Sequence, residues 1–164
     1  AIVGVTSSAY DSSHERAIRA LLARRRGDLE AAAAHAYQAR AQAERHGLVS
    51  FHLYASAIEG AARVERGELH VGTLLAATAF SSAENIPTEY GLEIRALSVL
   101  ALERAGSPSA VELRERTVRY CQEIDARIRD ARYRASFRAR ALVARFLTPA
   151  VLEEGLREGS EGAR

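Results

Sequence analysis

Arg26-Gly27-Asp28-Leu29-Glu30-Ala31 is a helix stop and a helix start written side by side, and the chain writes it again. Forty residues on stands Arg66-Gly67-Glu68-Leu69-His70-Val71, and thirty-nine beyond Gly67 comes the glycine of Ala105-Gly106-Ser107-Pro108. A looser fourth copy, Thr148-Pro149, follows forty-one residues after Ser107-Pro108. Each copy sets a glycine or a capping residue between two stretches of helical apolar spacing. Helix pairs repeating at such a period bury their apolar faces only against their neighbours, so the pairs must stack. The expected fold is all-α: a right-handed α-solenoid of stacked antiparallel helix pairs, with about seven or eight helices.

Outward from these turns the helices follow. Residues 1–11 show no helical period and are expected to be a poorly ordered lead-in. Ser12 with Glu15 makes a capping box for a first helix whose buried stripe is Ala17, Ile18, Leu21 and Leu22. Gly27 stops it, and Asp28 caps an alanine-rich second helix that ends at Gly47. The third helix, up to Arg66, turns Leu53, Tyr54, Ile58 and Ala62 inward. A fourth runs from Glu68 to the break at Asn85-Ile86-Pro87-Thr88, where Pro87 forces Ile86 out of helical geometry. Thr88 caps a fifth with Leu92, Ala96, Val99 and Leu100 inside, and Gly106-Ser107-Pro108 separates it from a sixth. Ile128-Arg129-Asp130 separates the sixth from a seventh that reaches Leu147, and Thr148-Pro149 opens a short last helix. The repeats are thus 12–46, 48–86, 88–128 and 130–157, within a domain of 12–158, and 159–164 reads as a frayed tail.

Composition narrows the class. Hydrophobic residues make up 48% and charged residues 27%, which fits a folded chain rather than a disordered one. A net charge of +2 gives no global field to draw in nucleic acid. No apolar run reaches the roughly 20 residues of a bilayer span. Cys121 is the single cysteine, so no internal disulfide framework exists and a reducing, cytoplasmic setting is expected. The 164 residues contain no Met, which reads as a fragment or processed product of a longer protein.

The stretch Gly27-Asp28-Leu29-Glu30-Ala31-Ala32 resembles the start of the second helix of a tetratricopeptide repeat. Seven residues before the turn glycines stand Ala20, Gly60 and Val99; five after stand Ala32, Gly72 and Val111; twelve after stand Ala39, Ala79 and Val118. In that family these places hold small residues where helices press together. The first two repeats obey. The third has valine throughout, so looser packing or altered twist is expected there. The period exceeds the family's usual length of about 34. It resembles the longer variant of bacterial maltose-regulator-type transcription factors and of cyclase- and kinase-linked sensors.

The resemblance spans about Ser12 to Leu156. It implies a non-catalytic interaction module without cofactor, holding a protein or peptide along a concave groove lined by the first helix of each pair. On that register the partner-binding residues are Tyr54 of the third helix, Glu93 and Glu103 of the fifth, and Arg134 and Phe137 of the seventh. Self-association through a solenoid end is a further expectation. The alternative it implies is a regulatory, effector-binding domain of a bacterial transcription regulator or signalling kinase.

Other chemistry is weakly supported. The five histidines (His14, His35, His46, His52 and His70) lack metal-ligand spacing, and the glycines form no phosphate loop. Cys121 has no histidine beside it and reads as a small buried apolar side chain. The seventh helix carries Arg129, Arg132, Arg134, Arg138, Arg140 and Arg145 against one acid, Asp130. They follow no single stripe, and Glu153, Glu154 and Glu158 are close enough in sequence to act as counterions. An ion-paired, solvated face is expected there rather than nucleic-acid binding.

Overall fold

In the computed structural model the backbone is described for residues 2–147 and side chains from residue 8 onward. Among the described residues there are eight helices and no strand: α1 (Ile2–Arg25), α2 (Leu29–Arg45), α3 (Val49–Glu65), α4 (Leu69–Asn85), α5 (Gly91–Arg104), α6 (Ala110–Arg127), α7 (Ala131–Ala139) and α8 (Ala141–Leu147). None of the described helices is long and apolar enough to cross a membrane. The expected last helix from Thr148 and the tail at 159–164 lie outside the described residues.

The turn signals work as their chemistry demands. Gly27, Gly47, Gly67 and Gly106 all take positive φ, between 65° and 88°. After each, the next N–H reaches back to close the helix end, Asp28 N to Ala23 O at 3.0 Å and Glu68 N to Arg63 O at 2.9 Å. The pattern repeats for Leu48 N to Ala43 O and Ser107 N to Leu102 O. This is the left-handed glycine stop, which satisfies the last carbonyls. Asp28 then caps α2 by accepting from Ala31 N at 3.0 Å. A helix of 17 residues and a three-residue turn, twice over, make the forty-residue step.

The chain divides into two compact units, Ala1–Val111 and Glu112–Arg164. In the first, α1 packs on α2, α2 on α3, α3 on α4 and α4 on α5, while α1 and α5 each also pack on α3. Consecutive antiparallel helices therefore stack as hairpins, with the first helix of each pair beside the next. The core is built largely of alanine, with Ala17, Ala20, Ala36, Ala39, Ala55 and Ala57 all fully buried. Small residues let the helices approach. A Cβ added to Gly60 would stand 2.9 Å from the Gly72 carbonyl oxygen, so α3 and α4 touch backbone to backbone. Ala20, Ala32, Ala39 and Ala79 are buried at the equivalent places. In the third repeat Val99 is buried, but Val111 is 70% exposed and stands where the first unit ends.

Three expectations need correction. Residues 2–11 are helical and belong to α1, so Ser12 does not begin a helix. Tyr10 packs on Phe51, and Ala9 is buried, contacts that outweigh weak local propensity. The buried stripe of α1 is Ala9, Ser13, Ala17 and Ala20, whereas Ile18 and Leu22 are each 45% exposed. Finally, the seventh helix is two helices, broken at Arg140, whose ψ is 127°. Phe137 and Phe146 are nine residues apart and would face opposite ways on one straight helix. The break lets both be buried, together with Val143.

In the second unit Arg138 grips Asp125 with two hydrogen bonds, Nε to Oδ1 at 2.8 Å and Nη2 to Oδ2 at 2.6 Å, tying α7 to α6. Arg114 ties α6 to α8 by donating to the Arg145 carbonyl at 3.0 Å and lying over the Phe146 ring. Cys121 is buried, as expected of a small apolar side chain.

Candidate interaction surface

Polar and aromatic side chains from the first helices of three successive pairs converge near both ends of the layer. At their C-terminal ends Glu65 of α3 accepts from Arg24 of α1 at 2.6 and 3.1 Å, and Arg104 of α5 approaches it at 3.7 Å. At the other end lies an aromatic cluster. Phe51, 1% exposed, is its floor. Tyr10 and His14 of α1 and Tyr54 of α3 stand edge-on around it at centroid distances of 5.6 to 6.0 Å. Tyr90, at the N-cap of α5, meets Phe51 edge-on at 5.5 Å and stacks flat on Tyr54 at 4.5 Å. The hydroxyls of Tyr10 and Tyr90, eighty residues apart, share a hydrogen bond of 2.7 Å.

Edge-to-face and stacked rings add binding energy beyond their buried area, and tyrosine keeps a polar tip for water or a partner. Burial raises the Tyr54 hydroxyl above its ordinary pKa, and the Glu93 carboxylate raises it further. Tyr90 is pushed up more strongly, first by burial, then by its hydrogen bond with Tyr10 and by the nearby charge of Glu89. The surface is therefore aromatic, hydroxyl-bearing and electronegative, with both phenols neutral at physiological pH.

Of the residues singled out from sequence, Tyr54 and Glu93 come together here. Glu103 is exposed in the last turn of α5. Arg134 and Phe137 belong to the second unit. Arg134 donates through Nε to the Ile128 carbonyl at 2.9 Å, closing the end of α6. Phe137 is only 8% exposed, so it offers little face to a partner. The groove itself is narrower than the helical register suggested. From Ala55 to Ala62 every residue of α3 is buried, including Ala57, so accessible surface is confined to the helix ends.

Sequence reasoning missed Tyr10, Phe51 and Tyr90: Tyr10 fell in the supposed lead-in, and Tyr90, expected inside a fifth helix capped by Thr88, is instead the N-cap of a helix that begins at Gly91. A signal was present. Tyr10, Ser50 and Tyr90 are spaced by the forty-residue step, as are His14, Tyr54 and Ile94. Carrying the repeat register outward from the turns places these side chains at one level of the stack. No family model, no curated protein and no solved structure matches the chain.

Proposed function

We propose that this chain is a non-catalytic, tetratricopeptide-like interaction module that docks a protein or peptide on the tyrosine end of its first-helix layer. The observation that carries the reading is the convergence of Tyr10, Tyr54 and Tyr90 from three successive helix pairs on one floor, Phe51. Tyrosines are enriched at interface hot spots because they bring large area with little rotamer entropy to lose. Glu89 and Glu93 beside them favour a partner segment bearing cations. A rigid repeat stack presents such a surface without rearrangement. A catalytic role is disfavoured by chemistry: the one thiol, Cys121, is fully buried, and Glu59 and Glu65 are tied to arginines.

The test is capture of partners by immobilised chain, with identification by mass spectrometry, using wild type, Tyr10→Ala and Glu89→Arg. Both altered residues are exposed enough to change without unfolding the stack. A hot-spot loss of about 2 kcal/mol corresponds to roughly thirtyfold weaker capture. Equal capture by all three proteins would move the binding surface elsewhere.

A further inference from the structure

Between α1 and α2 runs a cleft of ≈390 Å³ lined by Arg16, Tyr37, Gln38, Ala41, Gln42, Arg45 and His46. That volume lies at the small end of ligand pockets, which run from about 300 to 1,000 Å³. Its lining holds two guanidiniums and no carboxylate. The two amides are oriented to match. Gln38 Oε1 accepts from Arg16, and Gln42 Oε1 accepts from the Ser12 hydroxyl at 3.2 Å. With both amide oxygens engaged, the NH₂ groups remain as donors. Arg45 makes no ion pair or hydrogen bond through its side chain among the described residues. Arg16 and Gln38 also line an adjoining cleft of ≈260 Å³ with Arg19 and His35, whose one acid, Glu15, is paired to Arg19 at 2.6 Å.

The end of α2 is an objection, since C-terminal carbonyls repel anions. Here three of the last four carbonyls are occupied: Gln42, Ala43 and Glu44 accept from the N–H groups of His46, Leu48 and Gly47. What remains facing the cleft is a set of donors and cations. We propose that it binds a small, multiply charged oxyanion, with Arg16 and Arg45 as the charged forks and Gln38 and Gln42 as neutral donors. Guanidinium forks match phosphate and carboxylate oxygens in pairs, so either group satisfies the chemistry.

The experiment is titration of the whole chain with inorganic pyrophosphate and, separately, with citrate, followed by NMR of backbone amides, glutamine NH₂ groups and arginine Nε–H. Saturable shifts confined to residues 12–46 are expected, weakening as salt is added. A stronger response to pyrophosphate assigns a phosphoryl ligand, and a stronger response to citrate a polycarboxylate; both uphold the site. Arg45→Gln should weaken binding about tenfold, the value of one charged hydrogen bond. Arg25→Gln, an exposed arginine outside the lining, should leave it unchanged. Shifts spread over arginines generally, no saturation with either anion, or wild-type affinity in Arg45→Gln would each overturn the assignment.

Discussion

A methyl group on Gly72 would stand 2.7 Å from Val64 Cγ2 and 2.8 Å from the Val64 backbone nitrogen. A side chain can rotate away from such a clash, but a backbone nitrogen cannot move without shifting its helix. Overpacking costs about 1–3 kcal/mol, against about 1 kcal/mol gained by replacing a helical glycine with alanine. Gly72→Ala should therefore destabilise the first unit by up to about 2 kcal/mol, read as a lower midpoint in urea. Gly67 fails for a different reason. Nothing lies within 4 Å of its added Cβ, but its φ is +88°. Gly67→Ala should cost about 1 kcal/mol and Gly67→Asn clearly less, because asparagine tolerates left-handed backbone.

Tyr54 and Tyr90 carry a pH signature at the same scale. Their folded pKa values lie above the unfolded value of about 10. Below pH 10 both states keep the phenolic proton, so the stabilisation is intact. Above it the unfolded chain loses protons that the folded one retains, and stability falls as pH rises. Denaturation midpoints should decline above about pH 10. The decline should flatten in Tyr54→Phe/Tyr90→Phe, with tyrosinate absorbance reporting the ionisation.

Among elements, the junction of α2, α3 and α4 depends on one buried acid. Glu59 is 1% exposed and accepts from Arg40 Nε at 2.7 Å and Arg63 Nε at 2.8 Å, while Arg63 also reaches Glu68 at the start of α4. Removing one partner of a buried ion pair leaves charges without compensation, which costs about 3–5 kcal/mol. Exposed pairs are worth less than about 1 kcal/mol. Thermal melts of Glu59→Ala should therefore show a loss near 3 kcal/mol, and Glu15→Ala, whose partner Arg19 is solvated, almost none. Comparable losses would mean burial does not set the value of these pairs.

Elements were also where the sequence was most legible. The glycine turns, the Asp28 cap and the Pro87 break follow local rules, and each lies where its chemistry put it. The stripe of α1 was misread because Ile18 and Leu22 look like core residues, yet the helix packs through its alanines. Ala139-Arg140-Ala141 carries no stop signal, so the break there follows from tertiary burial of Phe137 and Phe146 and was invisible locally. Most of the proposed surface was similarly hidden. Tyr54 followed from helical register, whereas Tyr10 and Tyr90 join it only once repeats are stacked.

At the scale of the molecule, the forty-residue step predicts that residues eighty apart share one level of the stack. Small residues at the first two helix crossings let Gly60 meet Gly72 and Ala20 lie fully buried, whereas in the third repeat Val99 is buried and Val111 lies exposed at the end of the first unit. The hydrogen bond between Tyr10 and Tyr90 is the direct consequence. It exists only if α1, α3 and α5 lie side by side in register. Ring-to-ring nuclear Overhauser effects test this, with assignments fixed by Tyr10→Phe and Tyr90→Phe. Cross-peaks linking Tyr10 to Phe51, and Phe51 to Tyr90, are the predicted result; Tyr10 or Tyr90 rings with no cross-peak to Phe51 would contradict the stacked-hairpin account and the surface built on it.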